Sequence, residues 1–364
     1  MGVIIKNCDS DSLGEGEDLR RRKKKRSPRG SLCTTFQDQY TLPGEVLGEG
    51  NTGKVETCVN VFTGQQFAVK IIKKTPGTFN RPKILREIEL YHQCRGVDTI
   101  VQLVEFFEET DFFYLVFEKM EGGPLLSHIQ RRGSLTEEES SSIANDLATA
   151  IGHLHKLGVA HRDIKPENVL CVSTDSPCPV KLCDFDLCSA PDLPNSDSLL
   201  SPVGSLEFMA PEVVDTFLLA DEDDFDDPEV SLSYTKACDM WSLGVLLYIL
   251  LSGIAPFTAT CSDIKCGWQN GSSCSECQRL LLNAITAGDF GFPYFAWASI
   301  STSAKDLVSC LLLKNSAARL TATEVLAHPW LATTRENNNS SWASIASSWT
   351  ITTSMDSSSM RALG

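Results

Sequence analysis

Apolar and polar residues alternate along the first third of the chain and later recur at a helical spacing. From Phe36 onward the alternation predicts a five-stranded lobe, with strands around a glycine-rich turn at 47–55 and further strands at 66–72, 100–107 and 112–117. Apolar positions three or four residues apart then predict a helix between the capping box at Thr136 and Gly158. The sequence therefore predicts an α+β fold, with a small antiparallel lobe at 36–120 that holds one main helix and a larger, mostly helical lobe at 121–331.

The two ends of the chain lack these patterns. Residues 1–35 and 332–364 are rich in small polar or charged residues and have little to bury, so both are expected to be disordered. The first end carries the unbroken cationic block Arg20–Arg26. This block fits a nuclear-import signal, a patch for an acidic partner, or a solvated tail without a partner.

Composition sets the broad class of the protein. The chain is 42% apolar and 22% charged, as in ordinary globular proteins, and its net charge of −15 argues against general nucleic-acid binding by the globular part. No apolar leader opens it, and the longest apolar run, 241–256, is too short to span a bilayer. We therefore expect a cytoplasmic protein, with the nucleus as a second location, without membrane contact and with its 14 cysteines reduced.

The most specific motif in the chain is VAHRDIKPENVL at 159–170, which contains H-R-D-x-K-x-x-N between apolar anchors. In protein kinases this motif forms the catalytic loop. Asp163 would place a carboxylate beside the acceptor hydroxyl, Lys165 would neutralise the transferring phosphate, and Asn168 would supply an oxygen ligand for Mg²⁺. A lysine at position 165 is typical of enzymes that act on Ser or Thr. His161 is expected to be a packing residue rather than a base.

A glycine-rich turn, G-x-G-x-x-G-x-V, lies near the start of the patterned region. Glycines allow the backbone to close over nucleotide phosphates, with its N–H groups pointing inward. The motif alone also fits a Rossmann turn or a glycine hairpin, but a Rossmann turn requires a helix next, and 55–59 continues as a strand. The predicted nucleotide-binding residues of this turn are Leu47, Gly48, Glu49, Gly50, Asn51, Thr52, Gly53, Lys54 and Val55.

A lysine in the third predicted strand is flanked by apolar residues. Lys70 would be costly to bury there without a partner. We predict that it holds the α- and β-phosphates of ATP and that Glu87 of the following helix is its counter-ion, with Glu89 as the competing candidate. Ala68 lies on the same side of the strand as Lys70 and is predicted to line the same nucleotide site.

The segment 117–123 leaves the last strand of the small lobe and loosens at two glycines. The backbone groups of Glu118 and Met120 are predicted to pair with adenine, and Phe117 would close the back of that pocket. A plain linker between lobes is the alternative, and both descriptions can hold together.

A second acidic motif, Asp184-Phe185-Asp186, follows a short predicted strand at 180–183. Asp184 is placed to chelate the Mg²⁺ that bridges the phosphates. Most kinases have glycine where this chain has Asp186, and aspartate tolerates unusual backbone angles less well than glycine. We therefore predict an activation segment that is biased toward a flipped, unproductive state.

The polar stretch 187–204 is typical of an activation loop, and it closes with an A-P-E motif. Glu212 of that motif is predicted to pair with Arg319, and Asp239 is predicted to brace the backbone of the catalytic loop. Ser201 precedes a proline, so it is a candidate site for a proline-directed kinase. A phosphate there could recruit Arg162 and order the loop. An unmodified Ser-Pro turn is the alternative.

A polar insert at 261–277 contains four cysteines and ends in C-x-x-C. Four thiolates at this spacing fit a closed tetrahedral Zn²⁺ site. A redox dithiol is the rival, but the surrounding sequence lacks a thioredoxin-like βαβ pattern. The predicted zinc ligands are Cys261, Cys266, Cys274 and Cys277.

From about residue 40 to 331 the chain resembles eukaryotic protein kinases of the calmodulin-dependent-kinase group, which share a bilobal fold. Within that group it is similar to the MAP-kinase-interacting Ser/Thr kinases. Three features carry the closer resemblance: Asp186 in a D-F-D motif, the basic block before the domain, and the cysteine-rich insert.

The resemblance implies a substrate and partners. Members of this family phosphorylate the cap-binding translation initiation factor, dock on its scaffold through the basic N-terminus, and are activated by MAP kinases. Here Ser201 matches one regulatory site, with Ser in place of Thr. A second site would fall near Ser196, but Asp197 follows it, and no basic MAP-kinase docking cluster occurs in 331–364. The first cysteine gap is also one residue longer than in the family.

The sequence therefore predicts a Ser/Thr protein kinase that uses ATP and Mg²⁺ and carries a structural zinc site. The alternative from another class is a pseudokinase scaffold that binds partners through the basic arm and the cysteine insert. Asp186 alone favours that alternative, because Lys70, Asp163 and Asp184 are all present. A calmodulin-regulated kinase would need a basic amphipathic helix after the domain, and 331–364 has little basic charge.

Overall fold

The computed structural model describes residues 35–50, 53–77, 79–189, 199–220, 233–263 and 266–332. The chain divides into two compact units. The first contains the described residues up to Gly96 together with Val101–Met120, and the second contains Val97–Ile100 together with the described residues from Glu121 onward.

The first unit is an antiparallel sheet with one long helix. The elements in chain order are helix α1 (Phe36–Gln39), β1 (Tyr40–Thr41), β2 (Val46–Gly50), β3 (Gly53–Asn60), β4 (Gln66–Lys73), helix α2 (Arg81–Gln93), β5 (Leu103–Glu108) and β6 (Phe112–Glu118). The strands are hydrogen-bonded in the order β1-β3-β4-β6-β5, and β2 pairs with β3 as well.

The start of this unit differs from the sequence prediction. Instead of entering a strand at Phe36, the chain makes one helical turn and adds a sixth, two-residue strand, β1. The turn forms because acidic side chains accept hydrogen bonds from its first backbone N–H groups. The Asp38 carboxylate accepts from the N–H of Thr35, and the Glu109 carboxylate accepts from the N–H of Phe36, each at 2.8 Å. The Phe36 ring then stacks on Tyr114, with ring centroids 4.3 Å apart, in an aromatic cluster of the small unit.

The second unit is mostly helical, and a small sheet of three short strands lies within it. The strands are β7 (Gly123–Pro124), β8 (Val169–Cys171) and β9 (Val180–Leu182). Its helices are α3 (Leu125–Arg132), α4 (Glu137–Lys156), α5 (Pro211–Ala220), α6 (Cys238–Ser252), α7 (Ser275–Ala287), α8 (Tyr294–Trp297), α9 (Thr302–Leu311) and α10 (Ala322–Leu326).

Two helices carry the core that supports the site. Helix α4 begins at the predicted capping box, where Thr136 and Glu139 exchange bonds of 3.0 and 3.2 Å, and its apolar stripe is buried. Helix α6 is buried along nearly its whole length, including Trp241, because other helices surround it. Within the described ranges, no helix is both long and apolar enough to cross a bilayer. The predicted α+β class is confirmed.

Candidate active site

The first unit places Lys70 of β4 against Glu87 of α2. Lys70 Nζ lies 2.9 Å from Glu87 Oε1, and both side chains are buried. Glu87 shares the inward face of α2 with Ile84 and Ile88, whereas Glu89 is exposed and bonds to Gln93. The helix therefore presents Glu87, not Glu89, as the counter-ion. A buried pair of this kind fixes the lysine in place, since either charge alone would be poorly solvated.

The glycine-rich turn joins β2 to β3 as a tight hairpin. Gly50 pairs with Gly53 across the turn, and Asn51 and Thr52 lie outside the described residues. Gly53 has φ +154, and a Cβ there would overlap the carbonyl oxygen of Ile71, so only glycine fits. Because β3 continues for eight residues after the turn, the structure excludes the Rossmann alternative.

The other predicted nucleotide residues of the first unit are placed as follows. Leu47 is exposed, Val55 and Ala68 are half-buried, and Lys54 forms an ion pair of 2.6 Å with Glu56. The N–H of Glu118 donates to the carbonyl of Gln102 at 3.1 Å, which removes that donor from the predicted pairing with adenine.

The second unit gathers the catalytic-loop side chains around Asp163. Its Oδ2 lies 2.8 Å from Lys165 Nζ and accepts from Asn168 Nδ2 at 3.0 Å. Its Oδ1 accepts from the backbone N–H and the hydroxyl of Ser205, at 3.1 and 2.8 Å, and Lys165 also donates to that hydroxyl at 2.8 Å. Both carboxylate oxygens are therefore held in fixed directions, as a group that orients an acceptor hydroxyl must be.

Ser205 is a site residue that the sequence analysis did not identify. It immediately follows Gly204, where a Cβ would overlap the carbonyl oxygen of Arg162. This close approach brings the segment before the A-P-E motif against the catalytic loop. A small hydroxyl residue after a glycine was the only signal in the sequence.

The backbone of the catalytic loop is held by Asp239 at the start of α6. Its carboxylate accepts the N–H groups of His161 and Arg162, at 2.9 and 2.8 Å, and lies 2.8 Å from His155 Nε2. Burial alone would raise the pKa of Asp239, but these polar neighbours, His155 first, outweigh it and lower that pKa. The predicted bracing role of Asp239 is confirmed. It stabilises a loop in which Arg162 has a φ of +69.

The predicted Mg²⁺ ligands lie at one end of the β8–β9 pair. Asn168 comes directly before β8, Asp184 follows β9, and the N–H of Cys183 donates to the carbonyl of Asn168 at 2.9 Å. His161 is buried, lies 3.0 Å from the carbonyl of Cys183 and has its ring edge-on to Phe185, so it packs as predicted. The backbone segments that carry this amide and this carboxylate are therefore adjacent, and both side chains offer the oxygen ligands that Mg²⁺ prefers.

The backbone at the D-F-D motif differs from the expectation for Asp186. The left-handed conformation occurs at Asp184, with φ +63, and Asp186 is not among the described non-glycine residues with positive φ. The argument that aspartate strains the backbone at 186 therefore does not hold in this conformation. The flipped state remains a prediction.

The A-P-E motif makes its predicted long-range pair. Arg319 donates to both carboxylate oxygens of Glu212, at 2.8 and 3.1 Å, and its guanidinium lies over the ring of Trp241. Ser201 is exposed, and its carbonyl accepts from Arg162 Nη1 at 3.1 Å. Ser196 and the basic block Arg20–Arg26 lie outside the described residues.

The four cysteines of the insert converge. Their sulfur atoms all lie within 4.8 Å of one another, with Cys261 to Cys274 at 3.9 Å and Cys266 to Cys277 at 3.7 Å. A tetrahedral zinc with bonds of about 2.3 Å separates its sulfurs by about 3.8 Å, so the cluster has the required size. Cys274 occupies the N-cap position of helix α7. The N–H of Cys277 lowers the pKa of the Cys274 thiol, whereas burial raises the pKa of Cys277 to about 12.

Comparison with known proteins gives a consistent result. Residues 42–331 match the protein kinase domain family. The chain is 48% identical over 321 residues to MAP kinase-interacting serine/threonine-protein kinase 2 of Xenopus laevis, covering 86% of this chain and 66% of that protein. It is 46% identical over 320 residues to MAP kinase-interacting serine/threonine-protein kinase 1 of Xenopus laevis, covering 86% of this chain and 74% of that protein. A MAP kinase-interacting kinase of Caenorhabditis elegans is 44% identical over 332 residues, 88% of this chain but 46% of the relative. The chain thus spans just under two thirds of the first of these relatives.

Proposed function

Because this chain belongs to the protein kinases, and among them to the MAP kinase-interacting serine/threonine kinases, we propose that it transfers the γ-phosphate of ATP to Ser or Thr of a protein substrate with the help of Mg²⁺. The observation that carries this proposal is the set of bonds around Asp163. Its carboxylate is fixed by Lys165, Asn168 and Ser205, and the loop below it is braced by Asp239.

Each side chain has a separate part in this reaction. Asp163 orients the acceptor hydroxyl and takes up its proton, and Lys165 stabilises the charge on the transferring phosphoryl group. Lys70, fixed by Glu87, binds the α- and β-phosphates. Asn168 and Asp184 would hold Mg²⁺, which when bound neutralises phosphate charge. The rival scaffold function has no support from the comparisons, and all of these side chains are present.

For the substrate we propose the cap-binding translation initiation factor. The support is the resemblance to a family whose members phosphorylate this factor. The scaffold protein of that factor would bind to the basic block Arg20–Arg26. The test is to incubate the purified chain with that factor, Mg²⁺ and ATP and to locate phosphate by mass spectrometry. Phosphate on a serine or threonine of the factor is expected. Phosphate on generic Ser/Thr peptides but not on the factor would overturn the substrate and leave the kinase activity standing.

We further propose that a MAP kinase phosphorylates Ser201. Its side chain is exposed and precedes Pro202, and its carbonyl already lies 3.1 Å from Arg162 Nη1. A phosphate on this residue would find a guanidinium within reach, which makes charge-assisted bonds that order the segment. We also propose that the protein acts in the cytoplasm and that the basic block Arg20–Arg26 is a nuclear-import signal. The proposed kinase domain comprises residues 36–331.

The cysteine cluster is proposed to hold structural zinc. We expect about one zinc per purified chain, and we expect Cys274→Ser to lose it, because a closed site needs all four ligands. Loss of the metal should lower Tm by about 5 °C or more, since a change of 1 kcal/mol in the free energy of unfolding shifts Tm by about 2–4 °C in a domain of this size.

The matched control for the zinc site is Cys310→Ser, which changes a half-buried cysteine outside the cluster. Metal analysis and thermal melts are run on both variants and on the wild type. A wild type without zinc, or a Cys274→Ser variant that keeps its full complement, would contradict the assignment.

A further inference from the structure

The guanidinium of Arg162, next to the catalytic aspartate, is bound by neutral oxygens. Its Nε donates to the carbonyl of Leu187 at 2.8 Å, and its Nη1 donates to the carbonyl of Ser201 at 3.1 Å and to the hydroxyl of Tyr234 at 3.0 Å. Within the part of the chain that the structure describes, no carboxylate pairs with this guanidinium. Because these described partners are neutral, the guanidinium can still donate charge-assisted bonds to an anion that arrives later.

Tyr234 ties the same arginine to the activation segment. Its hydroxyl donates to the carbonyl of Ser201 at 2.6 Å, and its backbone exchanges two bonds with Leu199, at 2.7 and 3.0 Å. Both Tyr234 and Leu199 are 2% exposed. Burial raises the pKa of the Tyr234 hydroxyl, so this group keeps its proton and remains a donor at physiological pH.

We propose that Tyr234 is a positioning residue for catalysis. Its hydroxyl holds the carbonyl of residue 201 against Arg162, and through this contact it keeps the stretch 199–205 where Ser205 can bond to Asp163. The hydroxyl performs this task before any phosphate is attached. The proposal rests on the proposed kinase activity and on the phosphorylation of Ser201.

The state of Ser201 decides how much the Tyr234 hydroxyl contributes. In the unphosphorylated protein, neutral hydrogen bonds to Tyr234 and one bond from the Arg162 cation hold residues 199–201, so the loss of the tyrosine hydroxyl should matter. A phosphate on Ser201 would add charge-assisted bonds to Arg162, which are about twice as strong as neutral ones. Phosphorylation should therefore compensate for a missing hydroxyl.

The test compares Tyr234→Phe with wild type in the full-length chain, each prepared unphosphorylated and phosphorylated at Ser201. We expect kcat of the unphosphorylated variant to fall about tenfold, the effect of one lost hydrogen bond of this kind, with KM for ATP unchanged. After phosphorylation, kcat should return to within about twofold of the wild type. A purely structural defect would lower kcat equally in both states.

Tyr248→Phe is the matched control. Tyr248 is also 2% exposed, lies in the same unit and donates its hydroxyl to one backbone carbonyl, that of Gly291, at 2.7 Å. This variant should lose a similar amount of stability but keep kcat in both states. An equal effect of the two substitutions, or an effect of Tyr234→Phe that phosphorylation does not reduce, would overturn the proposal.

Hydrogen exchange of residues 199–205 in the same samples separates this proposal from the proposed function. Exchange there should be faster in unphosphorylated Tyr234→Phe than in wild type or Tyr248→Phe, whether or not the protein transfers phosphate. Unchanged exchange would overturn the positioning role. If exchange responds but the wild type transfers no phosphate, the proposed function fails and the contact stands as a structural one. If phosphorylation of the wild type changes neither rate nor exchange, the role of Ser201 fails.

Discussion

Replacing Asp163 by Asn should reduce kcat by about 10²–10⁴-fold and leave ATP binding close to that of the wild type. The size of the loss follows from removing a positioned proton acceptor. Both carboxylate oxygens of Asp163 accept bonds from donors, Ser205 on one side and Lys165 with Asn168 on the other. An asparagine NH₂ group would face one of these sets of donors and repel it, so the substitution also disturbs the arrangement around the acceptor hydroxyl.

The measurement is steady-state phosphate transfer to a Ser/Thr peptide, together with calorimetric titration of ATP. Asp175→Asn is the control, since this carboxylate is exposed in the same unit. A thermal melt confirms that both variants are folded. Near-normal turnover of Asp163→Asn would contradict the catalytic assignment. A loss of ATP affinity as large as the loss of turnover would show instead that Asp163 binds the nucleotide.

Replacing Asp239 by Asn should lower the free energy of unfolding by about 3–5 kcal/mol, the usual effect of breaking one partner of a buried charged cluster. The carboxylate is fully buried and serves three neighbours, His155 and the N–H groups of His161 and Arg162. An amide cannot accept from all of them. Because these bonds shape the backbone next to Asp163, kcat should fall as well.

The pH dependence of this variant follows from the direction of the pKa shift. The pKa of Asp239 in the folded protein is lowered, so its contribution to stability is present above the pKa of an unfolded aspartate, about 3.9. That contribution is lost as the pH falls through the still lower pKa of the folded state. The wild type should therefore lose stability more steeply than Asp239→Asn below about pH 4.

Asp306→Asn is the control for the buried carboxylate. Asp306 also lies near a histidine, His328, at 3.2 Å, but its side chain is 69% exposed. Its replacement should change stability by no more than about 0.5 kcal/mol, since exposed pairs contribute little. Chemical denaturation of the wild type, Asp239→Asn and Asp306→Asn between pH 3 and 7 measures the changes in stability and their pH dependence. Equal stability changes for Asp239→Asn and Asp306→Asn would contradict the bracing role.

Local patterns predicted the supporting elements of this site well. The capping box at Thr136 and the apolar spacing after it located helix α4, because a helix start needs its free N–H groups satisfied by nearby side chains. Helical spacing also separates the two glutamates of α2. Glu87 falls in the stripe with Ile84 and Ile88, whereas Glu89 falls outside it.

Contacts between distant segments were harder to predict. Ser205 bonds to Asp163 across 42 residues, and Tyr234 meets Arg162 across 72, and no periodicity connects such positions. Glu212 and Arg319, 107 residues apart, were paired from the motif and not from any pattern. The backbone angles at the D-F-D motif were not predicted either, since the residue with a left-handed φ is Asp184 and not Asp186, while the flipped state of the activation segment remains a prediction.

The most direct test of the central claim is the transfer of radiolabelled γ-phosphate from ATP to Ser/Thr peptides by the purified wild-type chain, with and without Mg²⁺. The claim is that the chain transfers the γ-phosphate of ATP with the help of Mg²⁺ and that Asp163 orients the acceptor hydroxyl. It predicts label on serine or threonine that depends on Mg²⁺ and is lost in Asp163→Asn. A chain that binds ATP but transfers no label, before or after phosphorylation of Ser201, would contradict it.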